Sequence, residues 1–135
     1  MGTRSGILVL CFLMVGCTAQ NLPSTKVTDV KEIIARLDED DDPNWRGKPF
    51  VVAPQDHEAI LALFRNGTVD SSPMKRYPLG RIEIDYKDGH QTGIALFWTG
   101  ATKGAYKIGN KYYRGGSDGQ FMSTLKACRA NASEP

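Results

Sequence analysis

The chain has 135 residues, 17 Lys+Arg against 15 Asp+Glu, and only two histidines. Near-balanced charge with no basic stripe excludes the usual nucleic-acid binder, which carries a strong positive excess. The length allows one domain with one core, burying about 60–70% of its unfolded surface.

The N-terminus carries Arg4 and then an uncharged run, Gly6 to Gly16 (GILVLCFLMVG). That is the layout of a secretory signal. A membrane-spanning helix needs roughly 20 apolar residues, about twice this run, and polar Thr18, Gln20 and Asn21 follow at once. The run ends in Met14-Val15-Gly16-Cys17, which resembles the lipobox of bacterial lipoproteins, where a small residue precedes a lipidated Cys. Gly16 and Cys17 match the two most restrictive positions. Met14 stands in place of the usual Leu, and Val15 is a less common choice. The resemblance covers the first 17 residues only. It implies a signal peptide over 1–16, lipidation of Cys17 and a tether over 17–27. It also implies a membrane partner reached through the lipid, on the bacterial cell envelope. Thr18 rather than Asp after Cys17 is compatible with the outer membrane. Several acyl chains on one Cys meet the need for more than one chain in a stable anchor. The competing reading is cleavage after Ala19 and a freely secreted domain.

Of the cysteines, Cys11 leaves with the signal and Cys17 takes the lipid. Cys128 is then alone, so the mature domain has no internal disulfide. It is predicted to be a small buried residue on a helix, with an intermolecular disulfide as the alternative.

A single α+β domain is predicted over 28–130. Val30, Ile33, Ile34 and Leu37 fall at i, i+3, i+4 and i+7, which predicts a helix over 29–37. Asp38 to Trp45 (DEDDDPNW) ends it, and Phe50 to Ala53 reads as a short strand. Pro54 opens a second helix carrying Ala59, Ile60, Leu63 and Phe64, which stops near Asn66-Gly67. Val69 to Pro78 reads as loop. Period two then begins: Ile82, Ile84, Tyr86, a turn at Asp88-Gly89, then Ile94, Leu96, Trp98. A three-residue loop Asp88-Gly89-His90 would pair Ile84 with Ile94 and Ile82 with Leu96, keeping the acids off the core row. A two-residue turn at Gly109-Asn110 pairs Tyr106 with Tyr113 and Lys107 with Tyr112. Ser117 and Gln120 form a capping box for a third helix bearing Phe121, Leu125 and Cys128. The tail over 131–135 should fray. The expected architecture is an antiparallel meander with two or three helices packed on one face.

No catalytic set stands out. Asp38, Asp40 and Asp42 have the start of a calcium-loop spacing, but Pro43 and Pro49 occupy positions where an EF-hand needs Gly and Glu. His57 and His90 have no Cys or second His at metal-ligand spacing, and no G-x-S-x-G supports a nucleophile. Neither metal nor cofactor is called for. The candidate binding residues are Trp45 and Arg46 in a loop, since Trp and Arg are favoured anchors, and Lys107, Tyr112 and Arg114 on one sheet face. These point to a non-catalytic envelope binding module with a protein or cell-wall partner. An inhibitor of a secreted enzyme is the alternative, and a minor hydrolase using His57 or His90 a further one.

Overall fold

Alternation of apolar and polar residues governs most of the chain, and strands follow from it. The computed structural model describes residues 22, 25–71, 76–100 and 103–135. The expected signal over 1–16, the Met14 to Cys17 motif and Cys17 itself lie outside the described residues. The fold is α+β: a seven-stranded antiparallel sheet in the order β2-β1-β4-β5-β6-β7-β3. The strands are β1 (Val30–Leu37), β2 (Phe50–Val51), β3 (Thr68–Val69), β4 (Tyr77–Tyr86), β5 (Gln91–Trp98), β6 (Ala105–Ile108) and β7 (Lys111–Arg114). Helices α1 (His57–Ala62) and α2 (Asp118–Ala130) pack on the sheet. No helix among the described residues is long and apolar enough to cross a membrane.

The expected helix over 29–37 is strand β1, held between β2 and β4. The misleading three-residue spacing has a specific cause. The β1–β4 register shifts between Val30 and Glu32, so Lys31 is an extra residue. The bulge turns Val30 to the same face as Ile33, Ala35 and Leu37, all buried. A bulge inside a period-two pattern thus imitates one turn of helix. β-Branched Val30, Ile33 and Ile34 favour the strand.

The central meander, β4 to β7, is as expected. The β4–β5 loop has three residues, but they are Lys87, Asp88 and Gly89. The Tyr86 N–H donates to the His90 carbonyl at 2.9 Å and the Gly89 N–H to the Tyr86 carbonyl at 3.0 Å. Gly89, at φ 94°, takes the left-handed third position that such loops need. Ile82 therefore faces Ile94, and Ile84 faces Thr92. The partners differ from the expected ones by two places, which leaves every side chain on its expected face. The Gly109-Asn110 hairpin pairs Tyr106 with Tyr113 and Lys107 with Tyr112, as expected. The predicted loop over 69–78 gives up its ends to structure: Thr68–Val69 pairs with β7, and Tyr77 and Pro78 begin β4.

The core lies between the sheet and the helices. Ile33, Ile82, Ile84, Ile94, Leu96 and Tyr106 meet Ile60, Phe64, Phe121 and Leu125 there. Tyr106 is its centre, stacked on Tyr113 at 5.3 Å and edge-on to Phe64 at 4.9 Å. Gly67, which looks like a helix stop, has a different task. A Cβ there would overlap the Tyr106 hydroxyl, so the glycine makes room for the ring. The Ser117 side chain accepts from the Gln120 N–H at 3.0 Å, the predicted cap of α2.

Both domain boundaries shift outward. Leu22 is buried in the core, so the folded body starts before residue 28. The tail does not hang free: the Val51 N–H donates to the Ser133 carbonyl at 2.8 Å, and the Ser133 N–H to the Val51 carbonyl at 3.2 Å. That bridge covers the outer edge of β2, which limits edge-to-edge pairing.

Candidate functional site

Trp45 and Arg46 do not form a protruding patch. The acidic loop before them is clamped to α2 by the buried ion pair of Asp40 with Arg129 and by Lys126 Nζ to Asp41 Oδ2 at 3.0 Å. Trp45 packs edge-on against Phe50 at 6.1 Å, with the Arg129 guanidinium over its ring at 5.8 Å. Arg46 Nε donates to the Asp40 carbonyl at 2.8 Å. Trp45 closes one side of the core, and Arg46 stays exposed beside it. The calcium-like spacing dissolves in the same way, because Asp38 pairs with Arg36 at 2.8 Å and Asp42 Oδ1 accepts the Asn44 N–H at 2.9 Å.

The histidines stand apart. His57 is buried in the first turn of α1. His90, in the β4–β5 hairpin, is bonded through Nδ1 to Asp88 Oδ2 at 2.8 Å. The backbone N–H and ring of His90 hold the Asp88 carboxyl below the usual carboxylate range. His90 thus serves the turn. Among the described residues, no three His, Cys, Asp or Glu side chains converge on a metal position. Cys128 is free and buried on α2, as expected. Burial, with the nearby Asp56 charge, pushes its thiol up to about 11, so it is inert at neutral pH.

Lys107, Tyr112 and Arg114 do share a face, the one turned away from α1 and α2. The register lines up one row across it: Arg36, Arg81, Ala95, Lys107, Tyr112. Neighbouring strands lie ~4.8 Å apart, so Arg81 and Lys107 flank Ala95 with roughly 10 Å between their backbones. A groove of about 490 Å³ runs over Gly93 and Ala95, bordered by Phe97, Lys107 and Tyr112, with the Arg81 guanidinium lying over Gly93. Phe97 and Tyr112 lie 6.0 Å apart, ring to ring. Lys107 Nζ sits 5.3 Å from the Tyr112 ring centre and has no acid partner among the described residues. Arg81 is bonded to Glu83 at 3.2 Å, both partly in water, a pairing that costs little to exchange.

Arg114 takes a supporting part. Its Nε and Arg76 Nη2 both bond Asp70 Oδ2, at 3.0 and 3.1 Å. Arg76 also lies flat over Tyr112 at 4.1 Å. This cluster fixes the Tyr112 ring at the groove wall. Sequence reasoning missed Arg81, Gly93 and Phe97, although each is an outward residue of a strand it recognised. It also left Trp98 in the core row, whereas Trp98 and its cross-strand neighbour Tyr77 are exposed. Comparison with known protein families, with characterised proteins and with solved structures finds no match.

Proposed function

We propose that this chain is an exported, lipid-anchored envelope protein whose domain binds a partner without catalysis, through the open outer face of its sheet. The observation that carries the reading is the groove over Gly93 and Ala95, with Arg81 and Lys107 on either side and the rings of Phe97 and Tyr112 beside it. Such a surface suits an anionic group on a flat or ring-bearing support: cations supply charge, and rings supply contact area at low entropy cost. The anionic group belongs to an envelope protein or wall component. The lipobox resemblance at Met14 to Cys17 supports the address. Because Leu22 is already in the core, lipidation at Cys17 would leave a tether of at most roughly 18 Å. The domain would then work close to the membrane surface.

Two measurements test the reading. Intact mass and membrane partition of wild type beside Cys17→Ser test the anchor: an acylated mass and retention, both lost in the variant, are expected. For the groove, the domain is immobilised and exposed to envelope extract, beside Arg81→Glu/Lys107→Glu. Capture by wild type and not by the variant is expected; equal capture, or none by either, removes the outer-face reading.

A further inference from the structure

A second cleft lies on another part of the surface and owes nothing to the reading above. Tyr77 and Trp98 face each other across the open end of the β4–β5 ladder. They are 59% and 43% exposed, unusual for two large aromatic residues at partnered positions of a ladder. With Pro78, Met122 of α2, and Glu39 and Asp41 of the acidic loop they line a cleft of about 410 Å³. That is within the ~300–1,000 Å³ of ordinary ligand clefts.

The charges around the cleft choose among occupants. Asp38, Asp40 and Asp41 are already committed to Arg36, Arg129 and Lys126. Glu39 is exposed and makes no side-chain hydrogen bond or ion pair with another described residue. An anionic occupant would meet Glu39 and the negative faces of two rings. A purely apolar one would strip water from Glu39 without replacing it, which is costly. A cation on an apolar stem answers each feature: aromatic faces attract it, Glu39 pairs with it, and the stem lies along Pro78 and Met122. We propose that this cleft takes a lysine or arginine side chain of a polypeptide partner.

The test follows the Trp98 indole N–H resonance while the mature domain is titrated with a short Gly/Ser peptide carrying a single Arg. A saturable shift is expected with the Arg peptide, and none with the same peptide carrying Gln or Glu in its place. Affinity should fall about tenfold in Trp98→Ala and about threefold in Glu39→Gln, the span that aromatic–cation contacts allow; the Ala variant is read by chemical shifts of Met122 and Tyr77. Trp98→Phe, which keeps a ring, should restore most of the loss and guards against a folding defect. No saturable shift, or an equal one with the Gln peptide, overturns the proposal. So does uptake of the unlipidated domain onto neutral phospholipid vesicles that requires Trp98, which would make the ring pair a lipid contact. Trp98-dependent dimerisation without peptide would also overturn it, assigning the cleft to a second copy of the chain.

Discussion

Two rows of side chains cross this sheet one residue apart, and they serve opposite ends. Ala35, Ile82, Ile94 and Ile108 face one another on the side of the helices, and all but Ile108 are fully buried. One position along in each strand, Arg36, Arg81, Ala95, Lys107 and Tyr112 face one another on the far side, away from α1 and α2. The backbone hydrogen bonds under the two rows are shared. The difference between a core and a binding surface is therefore carried by side chains alone, and a substitution on one row should be read on a scale the other row does not use. The inner row should set stability and the outer row affinity.

The largest expected effects test the inner side. Phe121 is fully buried and lies 6.1 Å from Phe64 and 6.3 Å from Tyr106. Phe121→Ala should cost about 3–5 kcal/mol in urea unfolding, while Phe97→Ala on the outer face should cost well under that. Comparable losses would mean that the outer face is a second core and not an open surface. Next comes the clamp between the acidic loop and α2. Asp40 is 2% exposed and paired with Arg129, so Asp40→Ala would strand a guanidinium and should cost about 3 kcal/mol. A loss below about 1 kcal/mol would show that the loop is not held by this pair.

The inner side should also respond to alkali. Burial pushes the Cys128 thiol up to about 11, and burial together with Tyr113 pushes the Tyr106 hydroxyl up to about 12. In the unfolded chain both groups lose their protons earlier. The folded state therefore holds more protons in that interval, and stability falls as pH rises. The contribution is whole below pH ~9 and is lost as pH rises through the folded values; for Cys128 it amounts to about 3 kcal/mol. Thermal melts from pH 8 to 11 should show the decline, and Cys128→Ala should flatten part of it. An unchanged slope in that variant would place the alkaline sensitivity elsewhere.

How much of this was legible in the sequence depended on whether one period explained each segment. The strand order of the meander, the Gly109-Asn110 hairpin, the Ser117 cap and buried Cys128 follow from local rules and the structure agrees on each, while the β4–β5 register differs by two places. Strand β1 was hidden because the Lys31 bulge inserts a three-residue step into a two-residue pattern. Edge strand β2 was legible in the apolar run Phe50 to Ala53, whereas β3 has two residues and exists only through its pairing with β7, beyond the reach of local periodicity. For the candidate surfaces the lesson is sharper in the two tryptophans. Trp45, in a charged loop, looks free, but Asp40–Arg129 draws that loop down and Trp45 meets Phe50. Trp98, at the end of an alternating strand, looks buried, yet it is exposed beside Met122 of α2. Exposure depends on where the covering layer ends, and nothing local in a strand records that.

The smallest expected change in stability belongs to the outer row, and it is the most informative. Lys107 has no acid partner among the described residues, and Arg81 exchanges one exposed glutamate for water. Lys107→Ala and Arg81→Ala should each alter unfolding free energy by less than about 0.5 kcal/mol. If the groove binds an anionic group, the same two changes should weaken capture of the partner, with the loss shrinking at higher salt because the charges are exposed. Arg114→Ala should behave differently. Arg114 is tied to Asp70 beneath the surface, so its removal should lower stability and should disturb binding only through the Tyr112 ring. The contrast is decisive for the row as a unit: were Arg114 to act like Lys107 in both assays, the ligand would have to sit nearer β3, and the groove over Gly93 and Ala95 would not be its seat.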